Sequence, residues 1–311
     1  VYLFHIRNFT VSVACIALLS VTASAAEIEW VTVGDAGNPA DKTGFGAVPY
    51  VFEIAKYEVT NEQYIEFLNA VAKSDPHGLW SESMGAPLLK DNGQGGIQEN
   101  LPVFASRTGM PGSYRYECLP GWERKPVVYV SFPDAMRFAN WLHNGKGDTE
   151  RGAYDLSKGP LAPREKESRV WIPSEDEWYK AAYFQPQEKG GPAGGYWRYA
   201  TRSNEEPKAV KTASTLPNAA IFDNSNAFRR IAPVGSVPMA ASFYGTLDQS
   251  GNAWEWNDTI IFATKRGIRG GSVAQVGLHL QSIVRSNAGP NRDYPDTGFR
   301  LARLPALVGK K

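Results

Sequence analysis

Residues 248–258, DQSGNAWEWND, bring together the donor set most suggestive of a metal. Asp248 and Glu255 bracket a Gly-Asn turn. A tight turn aims backbone carbonyls inward, and two carboxylates add hard anionic oxygens, so the stretch could cage Ca²⁺. The spacing is not that of an EF-hand loop, and acid-rich turns are common on surfaces, so a solvated turn is the alternative. A second stretch, RGGSVAQVGLHLQSIVRSNAG (269–289), looks built to deliver side chains from a Gly-Gly turn. It holds no cysteine and no carboxylate, and its one histidine is His279. Ser272 has no base beside it in sequence, which argues against a nucleophilic serine.

A nonheme iron triad needs two histidines and a carboxylate. His77, His143 and His279 are far apart in sequence, and no H-x-D or H-x-E pair occurs. His77 falls in a DPHG turn and His143 closes a helical pattern, where the helix dipole accounts for a cation without function. No P-loop, GxGxxG or GxSxG motif follows the leader, so nucleotide and serine-hydrolase chemistry find no support.

These residues must be positioned by a chain of 311 residues, 42% apolar, 21% charged and of net charge +1. That is ordinary globular composition, with no footprint for nucleic acid. Nine Trp leave two readings open, a binding groove or an aromatic core. At the N-terminus, Arg7, the apolar run VSVACIALLSVTA and Ala23-Ser24-Ala25 read as a secretory signal peptide over 1–25, cleaved after Ala25 or Ala26. The mature chain is then expected to be exported, periplasmic or extracellular, without a membrane span, and monomeric. Cys15 leaves with the leader. Cys118 alone remains, which excludes an internal disulfide and favours a buried, inert thiol.

Three helices are predicted from their caps. Thr60 and Gln63 form a capping box ahead of a Tyr64, Phe67, Leu68, Val71 stripe. Ser131 caps a second helix, with Pro133 in its first turn and Met136, Ala139 and Leu142 as its stripe. Ser174 and Glu177 box a third. Strands are expected within 27–58, and 75–125 and the region after 185 read as loop-rich with short strands. One α+β domain over 27–305 with a tail at 306–311 is the economical organisation.

The order KYEVTNEQY, KPVVYVSFPDAMRFANWL, WIPSEDEWYKAAYF, GNAWEWND, RGIRGGS, TGFRLAR resembles the formylglycine-generating enzyme, or sulfatase-modifying factor, family from about Trp30 to Arg303. The resemblance implies a C-type-lectin-like fold with little regular secondary structure. It implies a structural Ca²⁺ on Asp248, the Gly251 and Ala253 carbonyls and Glu255, and a second within 217–224 using Asn218 or Asp223. Trp254, Ser272, Gln275 and His279 map to the family's substrate groove, with core packing the alternative for Trp254. Arg285 and Arg300 are read as structural. Active members bind copper through two cysteines after the GGS turn and oxidise a substrate cysteine with O₂. Gln275 and, by direct count, Leu280 stand at those places. Soft thiolates are what suit Cu(I), so the two-cysteine mechanism is not expected here, and neither Cu nor Fe is expected as a cofactor. Other branches of the family include nonheme-iron sulfoxide synthases, whose iron ligands come partly from a separate helical domain, and exported pyoverdine-maturation proteins. Two functions therefore stand: a non-catalytic module binding a peptide or glycan, or a metal-dependent oxidoreductase acting on a thiol or peptide.

Overall fold

A computed structural model of the protein describes residues 27–85, 103–223 and 230–305. The leader expected at 1–25, part of the loop-rich stretch 75–125, Asn224 and the tail at 306–311 lie outside the described residues.

Two four-stranded sheets carry the architecture. The first joins β1 (Trp30–Val33), β2 (Phe52–Ala55), β12 (Ala302–Arg303) and β5 (Val170–Trp171) in the order β1-β2-β12-β5, all antiparallel. The second has the order β10-β9-β8-β11, from β8 (Trp254–Ile261), β9 (Lys265–Arg269), β10 (Ser286–Ala288) and β11 (Thr297–Phe299). In it β11 runs parallel to β8, with Gly298 opposite Glu255. Two small pairs, β3 (Ala105–Thr108) with β4 (Arg115–Cys118) and β6 (Lys208–Val210) with β7 (Ala219–Ile221), decorate the loops. The strands expected within 27–58 are present but shorter than the apolar runs, because the flanking residues belong to turns. The fold is mixed α and β with modest regular structure, as the sequence implied.

The helices start where their caps say. α1 (Asn61–Val71), α3 (Phe132–His143) and α4 (Glu175–Tyr183) each begin at a reciprocal capping box, from Thr60/Gln63, Ser131/Asp134 and Ser174/Glu177. Each box satisfies backbone donors that a helix start leaves open. A short α2 (Glu82–Gly85) lies between α1 and β3. The α3 stripe is wider than periodicity predicts. Met136 and Ala139 are buried, yet so are Phe138 and Trp141, which meet Phe67 of α1 at ring-centroid distances of 5.3 Å. Leu142 is only half-buried. An aromatic core therefore absorbs much of the Trp surplus. Cys118 is half-buried, and burial pushes its thiol up to about 12, which keeps it from being a nucleophile. Among the described residues no helix is long and apolar enough to cross a membrane.

Candidate functional site

The two suggestive stretches are hydrogen-bonded to each other. Gly251 N–H donates to the Gly270 carbonyl at 2.9 Å, and Val273 N–H donates to the Asn252 carbonyl at 3.0 Å. Positive φ at Gly251 (94°), Gly270 (101°) and Gly271 (78°) makes the approach possible. At Gly271 a Cβ would meet the Leu280 side chain at 2.9 Å. Segment 269–285 is then closed at both ends on one carboxylate. Arg269 Nε reaches Glu175 Oε1 at 2.8 Å, and Arg285 Nη2 reaches Glu175 Oε2 at 2.7 Å. Both guanidiniums lie about 5 Å from the Phe45 ring centroid. Arg269 also donates to the Ser282 and Val284 carbonyls at 2.7 Å, clamping the loop from inside. Glu175 opens α4, so a capped helix start anchors the loop.

Within that loop the groove candidates separate. Ser272 is buried, and its Oγ donates to Asp296 Oδ2 at 2.7 Å. Asp296 is the carboxylate that sequence proximity hides, 24 residues away. Burial raises its pKa. With no histidine between them and the serine shut from solvent, the pair positions the turn and does not make a nucleophile. Gln275 is half-buried. Leu280 is fully buried and clusters with Tyr199, Ala220 and Phe222. His279 is half-buried, and its Nδ1 has no partner. Val276, Leu278 and Ile283 are exposed, at 37%, 58% and 66%. Trp254 is 7% exposed and packs in the main core. β8 does alternate, but both of its faces are buried at Trp254, Glu255 and Trp256.

The two carboxylates that the resemblance implies as metal donors already have partners. Glu255 accepts Arg300 Nε at 2.6 Å and Nη2 at 2.8 Å, and Trp178 Nε1 at 2.8 Å. Both carboxylate oxygens therefore face donors, and a cation at the 2.3–2.6 Å of a Ca²⁺ ligand would sit against a guanidinium. Asp248 Oδ2 accepts Gly235 N–H at 2.6 Å. Arg300 donates besides to the Ala55, Lys56 and Leu247 carbonyls, the structural role expected of it. Asp248 and Glu255 thus belong to a buried polar network in which Arg300 already neutralises Glu255, so a cation bound there would compete with that guanidinium. Glu58, missed in the sequence reading although KYEVTN contains it, joins the network. Its Oε1 accepts Asn252 Nδ2 at 3.2 Å while Oε2 has no partner. Burial, with Asp248 and Glu255 nearby, raises its pKa well above the usual carboxylate range.

The second implied site fares no better. Asn218 Oδ1 accepts Thr201 Oγ1 at 2.7 Å, and Asp223 is paired with Arg230 and lies 3.4 Å from Lys211 Nζ. For iron, two of the three histidines serve other ends. His77 Nε2 is 3.4 Å from Glu150, and His143 Nδ1 accepts Arg169 N–H at 3.0 Å. Burial lowers the His143 pKa. Among the described residues no three His, Cys, Asp or Glu side chains form a group that could hold a metal ion.

A cleft the sequence did not reveal lies beside α3, lined by Trp80, Tyr129 and Asp134 among others. Tyr129 adopts φ 58°, a strained value for a bulky residue that no sequence pattern announces.

The described geometry agrees with comparisons against known proteins. A profile of the sulfatase-modifying factor enzyme 1-like domain matches residues 32–305. Hercynine oxygenase of Mycolicibacterium smegmatis is 27% identical over 213 residues, covering 67% of this chain and 37% of that protein. Formylglycine-generating enzyme of Mycobacterium tuberculosis is 29% identical over 244 residues, covering 69% of this chain and 66% of that protein. The chain thus spans less than two thirds of either relative. Among solved structures, CarF superposes with TM-score 0.52 at 20% identity, covering 90% of this chain and 99% of that one. Treponema denticola variable protein 1 does so with TM-score 0.52 at 20% identity, covering 91% and 98%.

Proposed function

The chain belongs to the sulfatase-modifying factor enzyme 1-like family, and from that premise we propose that it is a non-catalytic binding module of the family, one that holds a peptide or glycan and does not oxidise a thiol. The observation that carries this reading is the replacement at the copper positions. An amide, Gln275, stands at the first, and Leu280 is buried among Tyr199, Ala220 and Phe222 at the second. Neither side chain can act as a soft thiolate. The loop that carries them is rigidly clipped through Arg269, Arg285 and Glu175, and it offers exposed Val276, Leu278 and Ile283 outward. A pre-ordered loop with outward apolar side chains supports binding, since little ordering is left to oppose it. The same reading takes the mature chain to be exported and monomeric. Elemental mass spectrometry on the gently purified chain tests it: the reading expects neither copper nor iron near one per chain. Either metal at that level, lost on Gln275→Ala or His279→Ala, contradicts it.

One observation favours a second reading, a metal-dependent oxidoreductase acting on a thiol or peptide. His279 Nδ1 is buried without a partner in the same segment. A single imidazole lacks the companions a facial triad requires, so the binding reading stands ahead of it.

A further inference from the structure

The cleft beside α3 encloses about 570 Å³, within the range of small-ligand sites. Two carboxylates line it, and neither is matched. Asp134 is 8% exposed, and its two oxygens differ. Oδ2 caps α3, accepting Ser131 N–H at 2.9 Å and Ser131 Oγ at 2.6 Å. Oδ1 accepts nothing from the described residues, and it is not among the buried atoms sealed without a partner, so it opens on the space that Asp134 lines. The Tyr129 hydroxyl and Trp80 Nε1 are sealed, and these residues serve as wall. Asp293 lines the same space, is exposed, and makes no hydrogen bond or ion pair with the described residues. The neighbouring cations are committed elsewhere. Arg137 grips Glu150, with Nε at 2.6 Å and Nη2 at 3.0 Å, and His77 Nε2 lies 3.4 Å from the same carboxylate. Arg292 faces the Tyr294 ring at 5.8 Å. Pro133, Leu156 and Pro160 are half-buried and give the cleft an apolar side.

A carboxylate more than nine-tenths buried, with one oxygen free and a second unpaired carboxylate beside it, calls for a cation. A neutral ligand would leave both charges uncompensated. A hard metal ion such as Ca²⁺ wants about six to eight oxygens, and no three His, Cys, Asp or Glu side chains group for one among the described residues. A guanidinium fork is matched by both oxygens of one carboxylate, and Asp134 has a single oxygen to offer. An ammonium is a compact charge whose donors go to separate acceptors, so one oxygen of Asp134 suffices. A methylene stem behind it would lie along Pro133, Leu156 and Pro160. We propose that this cleft binds an alkylammonium group, held by Asp134 Oδ1 and Asp293 with its carbon stem on the apolar side. The site goes beyond the binding-module reading: it shares no lining residue with the segment from Arg269 to Arg285, and either can fail without the other. Burial, with the Asp293 charge adding to it, pushes the Asp134 carboxyl up to about 7. The ammonium needs the ionised form, so its affinity should rise about tenfold between about pH 6 and pH 8.

The test is ligand-observed NMR on the whole purified chain with n-butylammonium, 1,4-diaminobutane and Nα-acetyl-lysine amide, and with n-butanol, methylguanidinium and Ca²⁺ as controls. At least one amine should bind. Asp134→Asn should weaken that binding at least about tenfold and flatten its pH dependence, whereas His77→Gln should keep the dependence. Asp134→Asn retains an oxygen for the Ser131 cap, so it should melt with the parent at about pH 5, where Asp134 is itself neutral. Asp293 makes no bond in the described fold, so Asp293→Asn reads binding alone and should weaken it about threefold. No amine binding, binding undiminished in both variants, n-butanol or methylguanidinium bound as tightly as n-butylammonium, or displacement of the amine by Ca²⁺ at equal concentration overturns the proposal. Tighter binding of 1,4-diaminobutane than of Nα-acetyl-lysine amide makes the ligand a free amine, and the reverse order makes it a lysine side chain; both support the cleft.

Discussion

The network around Glu255 and the cleft beside Tyr129 are both polar and both deeply set, yet they differ in what is left over. Around Glu255 the ion pair itself is matched, with Arg300 and Trp178 on the carboxylate and three carbonyls on Arg300, and the one atom left over is Glu58 Oε2, an acceptor, among the described residues of the network. Around Tyr129 two donors have no partner at all. The leftover groups are opposite in kind, an acceptor beside Glu255 and two donors beside Tyr129. The motif that looked most chemical in sequence is the one whose chemistry is used up inside the fold.

Breaking the satisfied side should have the largest effect. Arg300→Met leaves Glu255 buried without its counter-charge, and loss of one partner of a buried pair costs about 3–5 kcal/mol. Urea unfolding of the variant should lose that much; a loss below about 1 kcal/mol would mean that Glu255 finds another partner. Next in size is the cap that anchors the loop. Ser174→Ala removes the acceptor for Glu177 N–H at 3.1 Å, with an expected cost of about 1 kcal/mol in the same assay.

The pH dependence sharpens the comparison further. Burial raises the Asp134 carboxyl to about 7 and that of Asp258 to about 6, above the usual aspartate range. The native state therefore holds protons that the unfolded state has lost. Stability should fall as pH rises from about 4 to about 7, opposite in sign to a salt-bridged carboxylate. Asp134→Asn should flatten the slope of urea midpoint against pH across that window, and an unchanged slope would remove Asp134 as its source. The smallest effect belongs to calcium. Because Glu255 faces Arg300 and Asp223 faces Arg230, a chelator should leave the melting temperature within about 1 °C of its starting value. A clear drop, restored by added Ca²⁺, would show that these carboxylates exchange a protein cation for a metal one.

Local signals were legible in the sequence and long-range pairings were not. Thr60, Ser131 and Ser174 announced three helix starts, since a cap and its N3 partner lie within one turn. The ordered motifs gave the family and its loop-rich fold. Asp296 beside Ser272 and Arg300 on Glu255 are separated by 24 and 45 residues, and only the closure of β11 onto β8 brings them together. The Asp248–Glu255 stretch shows the same limit: spacing gave the carboxylates but not the guanidinium on Glu255. The Tyr129 cleft left no local trace, because an unpartnered hydroxyl is a property of the fold around it.

The central claim is that the segment from Arg269 to Arg285 holds a ligand and does not oxidise one. Its most direct test is oxygen uptake by the purified chain supplied in turn with Cu(I) and Fe(II) and a cysteine-containing peptide. The account predicts no uptake above the metal-and-peptide control and an unmodified thiol by mass spectrometry. Turnover that consumes oxygen with the thiol, and is abolished by Gln275→Ala or His279→Ala, would contradict it.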